Sequence, residues 1–327
     1  MENAINHIED VLKLTDPGMQ QVNTHLRKQL DSDVVLINQI SEYIISNGGK
    51  RLRPMLMLLL TEALGYEGDQ NINLAAVIEL IHTATLLHDD VVDESELRRG
   101  EKTSHEIWGN SASVLVGDFL YSKSFQMMVQ ANNMQVMSIL SGATNKISEG
   151  EVQQLLNVGN LNLSEDAYYQ IIANKTAKLF EATCQLAAVI TQQDTETQSQ
   201  LAEFGMLLGT AFQIADDVLD YTAKDDELGK NLGDDFNEGK LTMPLIYLLA
   251  NGSDEERSHI INAIKNPQQT DFILIKNLVV KSNAINYTLS QAKEKAHAAK
   301  TRLDCLSTSN DKNALNYLCD FAWQRNQ

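Results

Sequence analysis

The chain has 327 residues and an excess of acid over base, 44 Asp and Glu against 26 Lys and Arg, for a formal net charge of −18. That charge argues against a broad basic surface for nucleic acid or anionic membrane, so an anionic substrate must be met by local clusters of cations. Only 4 prolines and 17 glycines, aromatics at 6% and a wealth of Leu, Ala, Ile, Gln and Asn disfavour a sandwich or barrel and predict an all-α protein.

In chain order, residues 1–14 have neither a basic start nor a long apolar centre, so no signal peptide is read. Asp16-Pro17 predicts a helix start, with Asp as cap and Pro in the first turn, leaving 1–16 as an N-terminal extension. Ser32-Asp33 predicts a second start before an apolar run over 34–45, which Gly48-Gly49 stops. Lys50 and Arg53 fall in a basic turn ahead of Pro54, which opens a helix to residue 64. Residues 65–73 read as a connector and 74–93 as a long central helix; 98–110 reads as a polar loop and 112–131 again as helix. Apolar spacing predicts further helices over 134–158, 164–192, 195–221, 241–250, 254–265, 270–280, 284–306 and 311–325. The charged stretch 224–240 lacks the residue order of an EF-hand, which sets calcium aside. With no strand pattern and no linker rich in Pro, Gly or Ser, 1–327 is expected to be a single domain. No apolar run is long enough to span a bilayer. Cys184, Cys305 and Cys319 are odd in number and far apart, which predicts a reducing, cytoplasmic setting.

Two stretches stand out. The central helix ends in Asp89-Asp90-Val91-Val92-Asp93, and the 195–221 helix ends in Asp216-Asp217-Val218-Leu219-Asp220. In each, the first and last Asp are four residues apart and share a helix face, while the second points roughly 100° away. Stacked carboxylates repel one another, so a compensating cation is expected, and hard oxygen ligands with open positions suit Mg²⁺ shared with phosphate. A Ser-His-Asp order, a Walker loop and a Gly-x-Gly-x-x-Gly fingerprint are absent. Acid boxes, scattered cations and greasy helices together suit the ionisation of an allylic diphosphate in a dry pocket.

The two boxes, with Gly48-Gly49-Lys50-Arg51-Leu52-Arg53-Pro54, Arg98-Arg99-Gly100, Lys175-Thr176, Phe212-Gln213 and 229–235, resemble the trans-prenyl diphosphate synthases. Residues 82–117 are most similar to the long-chain, octaprenyl-type bacterial members. The resemblance implies a helical bundle of the isoprenoid synthase type around a deep central cavity. It implies two or three Mg²⁺ ions per site, bound by Asp89, Asp93 and Asp216, with Asp90, Asp217 and Asp220 as ligands or supports. Arg98, Lys175, Thr176, Gln213, Lys230 and Lys240 would hold the allylic diphosphate, and Lys50, Arg53, His82 and Arg99 would hold isopentenyl diphosphate. Asp89, Asp93, Asp216, Lys175 and Arg98 would then carry the catalysis.

The same resemblance implies head-to-tail condensation onto farnesyl diphosphate, an octaprenyl product for a respiratory quinone, and a homodimer with candidate contacts over 112–128. Membrane contact would be no more than transient, for product release. Ala84 and Thr85, about one turn before Asp89, are small, so a product tunnel is expected to continue downward, lined or floored by Ile81, Met127, Met128 and Tyr121. The rival readings are a shorter-chain farnesyl or geranylgeranyl diphosphate synthase, a class I terpene cyclase, a non-catalytic partner subunit, and a helical protein whose acidic faces are merely solvated.

Overall fold

Segments that are apolar on every side must be covered on every side, and this sequence has such a segment after residue 74. The computed structural model describes residues 5–222, 233–266 and 272–324. It opens with α1 (Ile8–Gln29), α2 (Val35–Ser46), α3 (Leu52–Ala63) and α4 (Gln70–Val92). A two-stranded hairpin, β1 (Leu97–Arg98) and β2 (Glu101–Lys102), leads to α5 (Ser104–Trp108), α6 (Asn110–Gln130) and α7 (Met134–Leu156). Next come α8 (Glu165–Ile172), a π-helical turn (Ala173–Ala177), α9 (Lys178–Ile190) and α10 (Thr195–Thr222). The rest is α11 (Asp234–Asn237), α12 (Met243–Asn251), α13 (Asp254–Lys265), α14 (Phe272–Lys281), α15 (Ala284–Arg302), a 3-10 turn (Leu303–Cys305) and α16 (Asn310–Gln324). The all-α expectation holds, with one short hairpin beside the helices.

α4 buries Leu74, Ala75, Ala76, Val77, Ile78, Leu80, Ile81, Ala84 and Leu87, and it packs against α1, α3, α6 and α9. α10 lies against the other side of α9 and against α15 and α16. So α9 and the π turn stand between the two helices that carry the acid boxes. Their approach to α10 depends on Gly205 and Gly209. A Cβ at Gly205 would meet the Phe180 carbonyl oxygen at 2.4 Å, and one at Gly209 would meet Ala177 Cα at 2.7 Å.

Three expectations are corrected. Pro17 does not start a helix: α1 begins at Ile8, where the Asp10 carboxylate accepts from the backbone N–H groups of Asn6 and His7, each at 3.1 Å. Pro17 is carried inside that helix by the buried stripe Val11, Thr15, Val22 and Leu26, so residues 8–16 form the first turns of α1, with Val11 and Thr15 packed inward. The polar stretch 98–110 holds α5 and the hairpin, in register Leu97 with Lys102 and Arg98 with Glu101. Its two-residue turn, Arg99-Gly100, has φ of 56° and 81°, the doubly left-handed form that matches the twist of short hairpins.

Gly205→Ala should destabilise the protein. The added methyl meets main chain, and overpacking costs about 1–3 kcal/mol against a helix-propensity gain of at most about 1. Thermal denaturation should show the melting temperature fall by several degrees; an unchanged or higher value would show that α9 and α10 have room to part.

Candidate functional site

The residues of α4 at steps of three and four, Glu79, His82, Leu86, Asp89 and Asp93, form one helix face. All of them line a cavity of about 800 Å³. Phe212, Gln213, Asp216 and Asp217 of α10 line the opposite wall, and Lys175, Thr176 and Phe180 of the π turn and α9 lie between. Lys50, Arg51, Arg53 and Arg99 surround one end, and Asp234, Asp235, Glu238 and Lys240 the other rim. The two acid boxes, predicted from distant stretches, therefore share one cavity.

Each Asp within a box has a different setting. Lys175 Nζ stands 3.7 Å from Asp89 and 2.6 Å from Glu151, and it donates to Gln154 at 2.6 Å. Lys240 pairs with Asp93 at 2.7 Å and with Glu238. Burial opposes the Lys240 charge, yet Asp235, Asp93 and Glu238 outweigh it and raise its pKa. Burial also raises the Asp89 carboxyl, with Lys175 pulling it down and Asp93 pushing it up. Burial, then Asp235, lifts Asp217 to about 7, and burial, then Asp89, lifts Glu151 to about 7.

The second Asp of each box is turned from the centre. Asp90 is buried behind the wall, where Arg98 Nε donates to it at 2.6 Å. Asp217 reaches the wall but accepts from the Tyr168 hydroxyl at 2.6 Å and the Gln213 amide at 3.0 Å. Asp220 lies off the wall and accepts from Gly233 N at 3.1 Å. Asp90 and Asp220 thus engage Arg98 and Gly233 rather than the cavity.

The π turn explains how neighbours Lys175 and Thr176 both face the cavity. Its wider coil sets Lys175 toward Asp89 while Thr176 Oγ1 donates to Gln213 Oε1 at 2.9 Å. Such turns are often found at functional sites. Gly150 of α7 lets Glu151 reach Lys175, since a Cβ there would be 2.6 Å from Lys175 N.

At the basic end, Arg53 lies 4.3 Å above the Phe180 ring, and its buried Nε has no acceptor among the described residues. Burial lowers its pKa to about 10. Burial, then Arg53, Arg99 and Arg98, keeps His82 well below its usual value, so it is neutral at pH 7. A strongly buried cation with an unmet donor suits an anionic ligand.

Not every expected residue arrives. Lys230 lies outside the described residues. Of the tunnel set, only Thr85 is on the wall; Ala84, Ile81, Met127 and Met128 are buried in the core and Tyr121 packs against it, none lining the cavity. Thr85 is four residues from Asp89 and shares its face, whereas Ala84 is rotated into the core. Glu79, Glu151, Gln154, Tyr168 and Glu238 also line the cavity and were not anticipated. Glu79 had left a signal, as the only acid between residues 74 and 88.

Among the described residues no three His, Cys, Asp or Glu side chains are grouped as a ready metal site. The donor chemistry still fits Mg²⁺: all-oxygen groups on two facing walls, with acidic side chains more numerous than basic ones around the cavity. Mg²⁺ binds through one or two carboxylates and completes its shell with phosphate and water, so no protein cage is required.

The family model for polyprenyl synthetase matches residues 34–279. The octaprenyl diphosphate synthase of Escherichia coli is 44% identical over 324 residues, 98% of this chain and 100% of that protein. The crystal structure of a polyprenyl synthase from Caulobacter crescentus, complexed with calcium and isoprenyl diphosphate, superposes with a TM-score of 0.95 at 42% identity, covering 98% of both chains. A decaprenyl diphosphate synthase structure from Rhodobacter capsulatus gives 0.91 at 40%, covering 98% and 99%.

Mg²⁺ and inorganic pyrophosphate should stabilise this site together more than either alone. A ligand at about a hundred times its Kd adds ~2.7 kcal/mol, so a melting scan should rise clearly with the pair. A melting temperature unmoved by the pair would contradict the shared-site geometry.

Proposed function

The chain belongs to the polyprenyl synthetase family and is a trans-prenyltransferase, and on that premise we propose that it condenses isopentenyl diphosphate head-to-tail onto farnesyl diphosphate. The product is a long all-trans chain, octaprenyl in length, for a respiratory quinone. What supports this is that one cavity is lined both by Lys175, Thr176 and Gln213 with residues of the two acid boxes and by Lys50, Arg53 and Arg99.

In this reading Asp89, Asp93 and Asp216 hold Mg²⁺, which when bound adds the positive charge that stabilises a departing diphosphate. Lys175 and Lys240 present their ammonium groups to the same oxygens, and Arg98, fixed by Asp90, closes the side. Thr176 and Gln213 orient the allylic diphosphate through their mutual hydrogen bond. Leu86, Ile171, Ile172, Phe180 and Phe212 exclude water from the allylic cation. Arg53, Arg99, Lys50 and neutral His82 hold isopentenyl diphosphate so that its double bond meets C1 of the cation. The C1–O bond breaks first, giving the allylic cation and diphosphate; the isopentenyl double bond then forms the new C–C bond at C1, and one proton leaves the condensed product for the released diphosphate.

Octaprenyl length follows the likeness to the Escherichia coli enzyme, and the absence of an aromatic side chain at Thr85 supports a chain longer than farnesyl. Room beyond the wall depends on Met127 and Met128, whose unbranched side chains repack readily. Exposed Leu115 and Val129 of α6 support a homodimer. Among the described residues no helix is long and apolar enough to cross a membrane, and we place the protein in the cytoplasm, as one catalytic domain that meets the membrane only on product release.

Incubation with farnesyl diphosphate, isopentenyl diphosphate and Mg²⁺, followed by chromatographic sizing, should give octaprenyl diphosphate; no polyprenyl product would overturn the reading. Thr85→Phe should shorten the product while turnover continues. Unchanged length would show that growth does not pass Thr85.

A further inference from the structure

Glu79 is a buried carboxylate on the α4 face that carries His82 and Asp89, and no step described above uses it. Three guanidinium groups surround it. Arg51 Nε lies 3.9 Å from Glu79 Oε1, and Arg53 and Arg99 are within electrostatic reach. Burial raises the Glu79 carboxyl, and Arg51, Arg53 and Arg99 all draw it back toward the charged form.

The three arginines do different things. Arg51 is committed to the protein, donating to the Asn23 side chain and, at 2.9 Å, to the Ile45 carbonyl. Arg99 is held through one nitrogen by the Asn47 carbonyl at 3.1 Å, and Arg53 rests on Phe180 with Nε unmet. Arg51 and Arg99 both adopt left-handed backbone, with φ of 48° and 56°, a conformation that is costly for a side chain and persists only where its surroundings enforce it. Gly49 brings the preceding loop so close that a Cβ would meet the Arg99 guanidinium at 2.8 Å. Arg99 repels Arg53 and is itself repelled by Arg51, and among the described residues Glu79 is an acid whose charge reaches all three.

We propose that Glu79 is a positioning residue for the isopentenyl diphosphate end: its carboxylate, by holding Arg51 back against the α2–α3 loop, keeps Arg53 and Arg99 converged and free to take the diphosphate. The inference rests on the function proposed above. A negative charge beside an anion site would by itself weaken anion binding, so the proposal makes the counterintuitive forecast that removing it weakens binding. Glu79→Gln keeps the size and loses the charge. Its KM for isopentenyl diphosphate should rise about tenfold or more, while the KM for farnesyl diphosphate stays within about twofold and kcat falls less than the KM rises, the pattern of lost ground-state binding.

Glu79→Asp retains the charge and should recover most of that loss. Circular dichroism checks folding of each variant, and if Glu79→Gln does not fold, Glu79→Asp alone should show a smaller rise confined to the same KM. An unchanged or lower KM for isopentenyl diphosphate in Glu79→Gln would overturn the proposal. So would a rise shared equally by both substrates, or failure of Glu79→Asp to recover binding. Wild-type enzyme run in parallel separates the two claims: absence of any polyprenyl product from wild type would refute the function, whereas normal wild-type synthesis with an indifferent Glu79→Gln would refute only the role of Glu79.

Discussion

Like charges brought into a partly dry cavity are the constraint on which this structure depends. Asp89 and Asp93 on one wall and Asp216 and Asp217 on the other stand near Glu151, Asp234, Asp235 and Glu238. Burial there raises Asp89, Asp217, Glu151 and Glu238, a direct sign that their negative charge is held at a cost. Lys175 and Lys240 offset part of it. The remaining excess favours a dication, which in turn makes room for a diphosphate. On the function we propose, an acidic protein thereby becomes a receptor for an anion without a basic surface.

The scaffold serves that constraint through close helix contact. The face of α4 that bears Asp89 is fixed because the residues around it, Ala75 to Ile78, Leu80, Ile81, Thr83, Ala84, Leu87 and Asp90, are buried. On the far side, Gly205 brings α10 against the main chain of α9 and Gly209 brings it against the π turn, while Gly150 brings α7 against the π turn. With those separations set, Lys175 spans Asp89 and Glu151, and Thr176 meets Gln213. The basic end is organised differently, by loops in left-handed backbone and by a buried acid among arginines. Each end of the cavity thus pairs its main charge with a few groups of the opposite sign: Lys175 and Lys240 among the acids, Glu79 among the arginines.

The boxes, the central helix and the all-α class were legible because each has a period: a three-to-four spacing on α4, a four-residue step between acids, and long apolar repeats. Other features leave no such trace. Two-residue strands cannot show alternation, so the hairpin was hidden, although Arg99-Gly100 is a dipeptide that suits its turn. A π turn is a change in backbone hydrogen bonding that residue type does not announce. Pro17 misled because first-turn preference was allowed to outweigh the apolar stripe running from Val11 through Leu26. The small pair Ala84 and Thr85 suggests room below the acid box without giving its direction. One residue of rotation separates a cavity wall from a closed core, and only Thr85 is on the wall. Lys175 and Lys240 were found by likeness; their partners Glu151 and Glu238 had no spacing to mark them.

The central claim is that both acid boxes grip one magnesium diphosphate. A crystal structure determined with Mg²⁺, isopentenyl diphosphate and a non-ionising thio analogue of farnesyl diphosphate tests it most directly. The account predicts metal ions joining Asp89 and Asp93 to Asp216 through the analogue's diphosphate, with Lys175 on the same oxygens and the second diphosphate against Arg53 and Arg99. A diphosphate bound to one box alone, with the other box still tied only to protein groups, would contradict it.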